Sequence, residues 1–532
     1  MKNTLRLFLF FFLMGIQLAT AQQHDRYWLG MQPDLDTIPT AVLMRFDGDS
    51  IVYTAVHRDI YIQEGVLAMS NKAGDLQFYT NGNVVVSHDH QIMEGGKGFN
   101  EGAELSDFLG GQWGDTTLNL AYAQYTYQLI PDGFEEHIYY MIHSFLEYSY
   151  NAWQWDTPRM QISKIDMSAN GGRGKVVYKN RYFDEEPSSL FYATVRHGNG
   201  RDWWVILRTQ DGLRYRSLLF ERDEVKQEVI STLPELSSEW FTLLDSLFSN
   251  GNLLYASQDG SQLLDNYGYH HVKLMSFDRC SGMVSLLDTI DTGIYPVLIN
   301  GNTYEQNILA YELSPSGRYL YGVGPTGYMQ WDLEVADVEG SRMQLGGPPW
   351  QLDSYQNVLV GTLGGYFAFG YGPDGKLYNL FRNTHSVVEY PDERGEESGF
   401  CIAADNPPSC LHVPYQLFSN RHPNFRLGPL PGSGCDSLVS GVQVIGSGGS
   451  ELEVQPNPAS DQVTLRLNTQ NQPGDWYVQV FNLNGGLMQQ NTLATGTSEW
   501  VFSVQDWPPG TYVVRLMNGP KVMSQTFVVQ NR

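Results

Sequence analysis

Two imidazoles flank a carboxylate in His88-Asp89-His90. On a β-strand that spacing would turn both rings to one face, half of a zinc-type site. No third ligand can be assigned, and a polar turn or strand end accounts for the same residues. His270-His271 would send its rings to opposite faces of a strand, which disfavours chelation. Asp47-Gly48-Asp49 and the pair Asp288 and Asp291 contain pieces of a calcium loop. Neither has the alternating acidic pattern closed by a glutamate, so structural turns are expected there. A serine nucleophile on a G-x-S-x-G elbow is absent. Glycosidase chemistry needs only two carboxylates a few ångströms apart, but with 58 acidic residues the sequence singles out no pair. No catalytic residue, metal ligand or cofactor is assigned.

Trp153-Gln154-Trp155 and Trp203-Trp204 are candidate stacking platforms for sugars. Adjacent strand residues face opposite ways, so at most one of Trp203 and Trp204 would be open on a given face. Packing between sheets is the expected use.

The elements that must position any site are β-strands. Runs such as DLQFYTNGNVVV, EHIYYMIHSF, RDWWVILRT, RYLYGVG and KLYNLF are apolar or aromatic and are broken by Gly, Asn, Asp and Pro. EWFTLLDSLF, residues 239–248, is the best helical candidate and is short. A repeat emerges when the turns are aligned on Gly74, Gly133, Gly200, Gly260, Gly317 and Gly375. Each polar turn leads into an apolar strand, and the intervals run from about 57 to 67 residues. Glycine supplies the positive φ that tight turns of this kind need. That interval holds four short strands, the size of one propeller blade. An all-β fold is expected: a β-propeller of about seven blades over residues 26–435. One blade would be shared between Tyr27–Tyr53 and the segment after Phe400, which closes the ring and protects the sheet edges. A series of two-sheet sandwiches is the structural alternative.

Met1 to Gln23 has a basic start (Lys2, Arg6), an apolar core from Leu7 to Ile16 and the small-residue triplet Ala19-Thr20-Ala21. This is the layout of a secretory signal peptide over residues 1–21, with cleavage between Ala21 and Gln22. The apolar run falls short of the roughly 20 residues needed to span a bilayer. No later segment is apolar enough, so no transmembrane span is expected in the mature chain. The formal charge of -25 becomes about -27 once Lys2 and Arg6 leave. A dispersed acidic field of this size repels phosphate backbones, which argues against nucleic acid as a partner.

In an exported chain, four cysteines suggest disulfides, with three possible pairings. Cys401 and Cys410 flank the turn-rich IAADNPPS and form the favoured pair; elimination leaves Cys280 with Cys435. Zinc is disfavoured because no C-x-x-C spacing occurs.

Residues 436–450 form a Gly/Ser-rich tether. Beyond it Val463, Leu465 and Leu467 alternate with polar residues, as do Trp500, Phe502 and Val504, and Tyr512, Val514 and Leu516. Period-two alternation with one buried face fits a small antiparallel β-sandwich of about seven strands over residues 451–532, immunoglobulin-like in kind.

This C-terminal module closely resembles the type A sorting domain of the type IX secretion system, found in the Bacteroidota. The residues that carry the likeness are Pro456-Asn457-Pro458-Ala459, the strand VQVFNLNGG, the segment from Pro509 through Gly510 and Tyr512 to Val514, and the closing strand Thr526 to Val529. Gly485-Gly486 departs from the glycine-plus-basic pair common in the family. The resemblance implies Sec-dependent export, engagement of the type IX machinery, and delivery to the cell surface or the medium. The body resembles, less closely, propeller regions of large secreted Bacteroidota proteins, through GDLQFYTNGNVVVSHDHQIMEGGKGF, VRHGNGRDWWVILRT, YELSPSGRYLYGVG, YMQWDLE, GYGPDGKLYNLF and HPNFRLGPL. Met93-Glu94-Gly95-Gly96 departs from the MPNG-like run of those relatives. This second resemblance implies a fold and a compartment and names no ligand. The function expected is a non-enzymatic binding module for a protein or glycan. A secreted hydrolase or lyase with acids in the central channel, or a structural envelope protein, are the alternatives.

Overall fold

The computed structural model describes residues 23–31, 40–48, 50–57, 66–99, 127–145, 148–149, 154–155, 159–184, 186, 188–209, 213–234, 254–266, 271–293, 295–299, 302–306, 308, 310–324, 326–347, 369–382, 384–402, 416–418, 422–436, 452–467, 476–482, 487–505, 507–518 and 521–530. The signal-peptide residues, with Ala21 and Gln22, lie outside them, as do the 239–248 stretch and most of the tether. The chain divides into two compact units, Met1–Cys435 and Asp436–Arg532, and both are all-β.

In the first unit most of the described strands fall into antiparallel groups of four, called here sheets 1 to 7; Tyr148–Ser149 with Gln154–Trp155 and Tyr295–Ile299 with Asn302–Gln306 form separate pairs. Sheet 2 is Leu67–Ser70, Leu76–Thr80, Val84–Ser87 and Ile92–Lys97. Sheet 3 is Tyr127–Pro131, Ile138–Phe145, Arg159–Asp166 and Lys175–Asp184. Sheet 4 is Ser188–Arg196, Trp203–Thr209, Arg214–Glu221 and Glu224–Thr232. Sheet 5 is Leu254–Ala256, Gln262–Asn266, His271–Phe277 and Val284–Asp291. Sheet 6 is Ala310–Leu313, Tyr319–Gly324, Gly327–Asp332 and Met343–Gly346. Sheet 7 is Phe369–Tyr371, Leu377–Arg382, Thr384–Val388 and Cys401–Ile402.

Sheet 1 draws on distant parts of the unit. Tyr27–Met31, Thr40–Asp47 and Ser50–His57 pair in series, and Gln416–Phe418 joins the first of them through Gly30↔Leu417 and Met31↔Gln416. Two pairs of sheets are also linked through their strands. Lys175↔Glu94 joins sheets 2 and 3 in parallel, and Phe381↔Phe418 joins sheets 7 and 1.

The second strands of sheets 4 and 6 read as nearly continuous apolar runs because both of their faces are covered. Trp203–Thr209 is buried along its whole length. The fourth strands alternate instead; Lys175–Asp184 exposes Lys175, Val177, Lys179 and Arg181 between better-covered residues. Packing then runs from sheet to sheet. Leu29 and Ala41 of sheet 1 share a core with Ala68 and Tyr79 of sheet 2, and a larger core joins sheets 2, 3 and 4. Trp204 packs with Leu263 and Met275 across sheets 4 and 5, and Leu264 with Trp331 across sheets 5 and 6. Tyr328 meets Phe369 and Leu377 across sheets 6 and 7, and Tyr378 meets Trp28 and Phe46 across sheets 7 and 1.

In the second unit, Leu452–Gln455, Gln462–Leu467 and Glu499–Ser503 form one antiparallel sheet. Leu487–Leu493, Trp476–Asn482, Gly510–Asn518 and Lys521–Val529 form another. Val463, Leu465 and Phe502 from the first meet Val478, Val514 and Phe527 from the second in one core.

Candidate functional site

The tight turns between the first and second strands carry the repeated glycines. Gly74, Gly200, Gly260, Gly317 and Gly375 all have left-handed backbones, with φ of 71 to 86°. In each turn the glycine N–H donates to the carbonyl three residues earlier, at 2.8 to 3.0 Å. Polar side chains complete the turn: the Asp259 carboxylate accepts the Ser257 and Ser261 hydroxyls at 2.6 and 2.7 Å. Gly133 departs from the expectation. Its φ is not positive; the Asp132 carboxylate orders that turn by accepting the N–H groups of Phe134 and Glu135. Glycine is required there for space, since a Cβ would lie 2.5 Å from the Arg201 carbonyl oxygen.

The first strands of sheets 3 to 7 converge on one cavity, lined by Gln128, Thr194, Tyr255, Glu312 and Tyr371 among others, with a volume of about 60 Å³. His422, Pro423, Asn424 and Leu427 complete the lining. Phe425 is wholly buried, its ring 5.3 Å from that of His24 and 6.1 Å from Trp203. Asn424 donates to the Gln258 carbonyl at 2.6 Å, and Arg279 holds the Gly428 carbonyl at 2.7 Å. The chain then crosses Gly200, where an added Cβ would sit 2.5 Å from the Pro429 nitrogen. It ends in a disulfide between Cys435 and Cys280. Cys401 is also disulfide-bonded; Cys410 lies outside the described residues. The earliest described residues are pinned as well. His24 Nδ1 bonds with the Ser70 carbonyl at 2.6 Å, and Asp25 is gripped by Arg426, so the folded unit begins before Arg26.

Several buried charges of the first unit are paired. Asp265 accepts from Arg208 at 2.6 Å and from the Tyr215 hydroxyl, and Asp184 takes both arms of Arg216 at 2.7 and 3.1 Å. Beside Glu312, burial and the nearby negative charge push the Tyr371 phenol far up, and its hydroxyl donates to the Leu313 carbonyl. Burial raises the Asp374 carboxyl, but that group sits in a tight turn, accepting from the Tyr378 hydroxyl at 2.6 Å. Burial also keeps His24 and His422 neutral, each lowered to about 4.

The remaining candidates are structural. His88-Asp89-His90 lies in the turn after Val84–Ser87 and not on a strand; Asp89 pairs with Arg173 at 2.7 Å, and His90 adopts φ 70° against the Tyr79 ring. His271 stands 4.0 Å from Asp291, and His270 lies outside the described residues. Asp47 bonds with Arg26 and Arg45; Asp49 is outside the described residues. Asp288 caps the Thr289 N–H and Asp291 the Gly293 N–H. Trp203 and Trp204 are both buried. The Trp203 indole donates to Pro131 of sheet 3, and that of Trp204 to Arg279, which follows the third strand of sheet 5. Gln154–Trp155 pairs with Tyr148–Ser149, while Trp153 is not among the described residues.

In the second unit, Asn457, between Pro456 and Pro458, accepts the Val528 N–H at 2.9 Å, and Ala459 bridges Val529 in parallel. Gly510 opens the strand that carries Tyr512, whose buried ring lies 4.9 Å from Trp507 and whose hydroxyl donates to Pro508.

Among solved structures, the chain is similar to KlHsv2 with loop 6CD replaced by a Gly-Ser linker, at 9% identity over 69% of this chain and 92% of that one, with a TM-score of 0.31. It is similar to Saccharomyces cerevisiae Sqt1 at 9% identity, over 70% and 85% of the two chains, TM-score 0.34. A third similar structure is the extracellular domain of a one component system from B. thetaiotaomicron, at 11% identity over 94% and 69%, TM-score 0.27. No curated protein matches the chain. Residues 453–530 match the family model of the secretion system C-terminal sorting domain, a module that implies export by the type IX system.

Proposed function

We propose that this protein is a non-enzymatic binding module, delivered by the type IX system to the cell surface or the medium. In this reading the first unit is a seven-bladed β-propeller and the second an immunoglobulin-like sorting sandwich, preceded by a cleaved signal peptide. The cyclic order of packing, sheet 1 to sheet 7 and back to sheet 1, supports the propeller. Gln416–Phe418 would then complete the blade begun by Tyr27–His57 and remove an open sheet edge.

The observation that carries binding over catalysis is the filled centre. This cavity of about 60 Å³ is far below the roughly 300 Å³ at which small-molecule sites begin. A larger hollow of about 640 Å³, lined by Glu389, Asp392, Glu393 and Glu397, is open to solvent and its acids are exposed. Glu312, the carboxylate lining the smaller cavity, lies on the strand Ala310–Leu313 and accepts the Leu313 N–H, while the buried Asp265 and Asp184 are held by arginines, a poor arrangement for acid–base work. A protein or glycan would therefore be met by the loops and rim. Glycan-array binding by the chain lacking residues 1–21 tests this. Retention of a defined glycan without cleavage is expected, and hydrolysis of arrayed glycans would overturn the reading. Deleting Ser450–Arg532 should hold the protein in the periplasm; its continued appearance outside the cell would reject the sorting role.

A further inference from the structure

The cations of this acidic chain are unevenly spread. Residues 159–226 hold 13 of its 33 Lys and Arg but only 9 of its 58 acids, so a net positive stretch lies within a chain of charge -25. The fold gathers much of this stretch onto the outer strands and turns of sheets 3 and 4. Lys175, Lys179 and Arg181 project from the exposed strand Lys175–Asp184, and Arg222 is exposed in the last turn of sheet 4.

Aromatic rings interleave with these cations. The Arg159 guanidinium lies 5.0 Å from the Tyr182 ring centroid and that of Arg181 4.4 Å from Tyr178. Lys164 and Lys179 stand 5.8 Å from Tyr140 and Phe99. Arg201 and Arg222 both lie over Phe134, at 4.2 and 4.5 Å. Tyr182 and Phe134 remain 38% and 40% exposed. Acids also reach the patch, as in Lys175–Glu94 and Arg181–Asp223. The Lys175–Glu94 pair is solvent-exposed and worth little, so a stronger anion can displace it; Arg181 is held more firmly, also donating to the Asp223 carbonyl at 2.6 Å. The Lys179 ammonium meets the backbone carbonyls of Gly95 and Lys97.

We propose that this face docks an acidic polysaccharide, a polymer of carboxylated sugars. Lys175 and Lys179 lie four residues apart on one strand, roughly 14 Å at the usual rise, and a bulge at Asn180 interrupts the ladder before Arg181, so the three offer separated cations to carboxylates spaced along a polymer. The exposed parts of the Tyr182 and Phe134 rings, whose faces already carry guanidinium groups, add apolar contact for the sugars beside the cations. The acidic remainder of the surface repels such a polymer elsewhere and steers it here. The proposal rests on the binding role proposed above and names its ligand class, since Phe134, Arg201 and Arg222 lie in turns of the loop-bearing rim. A chain that binds other arrayed glycans but not polygalacturonate would overturn this inference and leave that role standing.

The test is retention of the full chain on immobilised polygalacturonate, with neutral dextran and polyglutamate as controls. Selective retention that weakens as salt rises is expected. Lys179→Gln combined with Arg222→Gln should weaken it by roughly tenfold or more, and Phe134→Ala should weaken it without altering the salt dependence. No retention at low salt, unchanged retention of both variants, or equal retention on polyglutamate would overturn the proposal. Competition by soluble galacturonate oligomers on the unsubstituted chain decides the matter even if a variant fails to fold; failure to compete counts against it.

Discussion

The Arg426 guanidinium grips the Asp25 carboxylate at two points, 2.6 and 2.8 Å, across 401 positions of sequence. Asp25 is 7% exposed, and the pair ties the segment 422–427, part of which lines the cavity, to the first described residues of the fold. Removing the guanidinium strands a buried carboxylate, so Arg426→Ala should destabilise the first unit by about 1.5–3 kcal/mol. Arg426→Lys keeps the charge but loses the two-pronged geometry and should recover only part of this. Urea unfolding of the three proteins measures it, and coincident midpoints would mean the pair contributes nothing.

The Cys280–Cys435 disulfide closes a loop of 155 residues. Constraining a loop of that length in the unfolded chain stabilises by up to about 5 kcal/mol in the chain-entropy model. A Cys280→Ser, Cys435→Ser variant should lose about 2–5 kcal/mol. The loss should be felt first by residues 422–436, the segment that the bond secures. Hydrogen exchange would detect faster opening at the Leu430 amide, which donates to Gly198 at 2.8 Å, before sheet 3 opens. Uniform loss of protection would show that the disulfide acts on the whole unit.

These two contacts mark the boundary of what could be read from sequence. The turns at Gly200, Gly260 and Gly317 were legible because a left-handed residue in a polar turn must be paid for locally, and glycine advertises it. Gly133 carries the same letter for a different reason, the close approach of Arg201, which only the fold reveals. Alternation in the second unit was legible because one face of each strand is buried. The filling of the centre was not: Phe425 is buried in the core of sheets 2, 3 and 4 amid neighbours with no strand periodicity, and His422, Pro423, Asn424 and Leu427 line the cavity. Nor was the clustering of cations, since Phe134 and Arg222 lie far apart in the chain and meet only through two neighbouring sheets.

Acid should weaken the first unit between about pH 6.5 and pH 4. His24 and His422 ordinarily titrate near 6.5, and burial holds each at about 4. Below pH 6.5 the unfolded chain takes up protons that the folded rings refuse, so stability present above that value is lost as pH falls towards 4. Each ring accounts for about 3 kcal/mol across this window. Unfolding free energies at pH 7 and pH 4.5 should differ accordingly, and His422→Gln should show a smaller difference. An equal pH slope in that variant would remove His422 from the account.

Trp204 offers a sharper probe of contact between neighbouring sheets. Its indole N–H donates to the Arg279 carbonyl at 2.8 Å, and the ring is fully buried against Phe277. Trp204→Phe keeps much of the apolar surface but leaves that carbonyl one donor short, costing about 1–3 kcal/mol. Trp204→Ala also opens a cavity and should cost about 3–5 kcal/mol. Denaturant midpoints for the two variants should fall in that order. If phenylalanine is as stable as tryptophan, the hydrogen bond adds nothing to the packing.

In the second unit, the role of the Pro-Asn-Pro motif can be separated from that of the sheet it touches. Asn457 Oδ1 accepts the Val528 N–H, while Ala459 donates its own N–H to the Val528 carbonyl and accepts from Gln530. The motif therefore clamps the end of Lys521–Val529 from outside its own sheet. Asn457→Ala removes one exposed hydrogen bond and should cost about 0.5–1.5 kcal/mol, too little to unfold a core that holds Trp476, Phe527 and Val514. Amide exchange at Val528 should accelerate while that at Val514 stays protected. If export falls in this variant with the core intact, the order of the closing strand, rather than the stability of the unit, is what the secretion machinery reads. Normal export with a frayed Val528 would assign recognition to another surface of the unit.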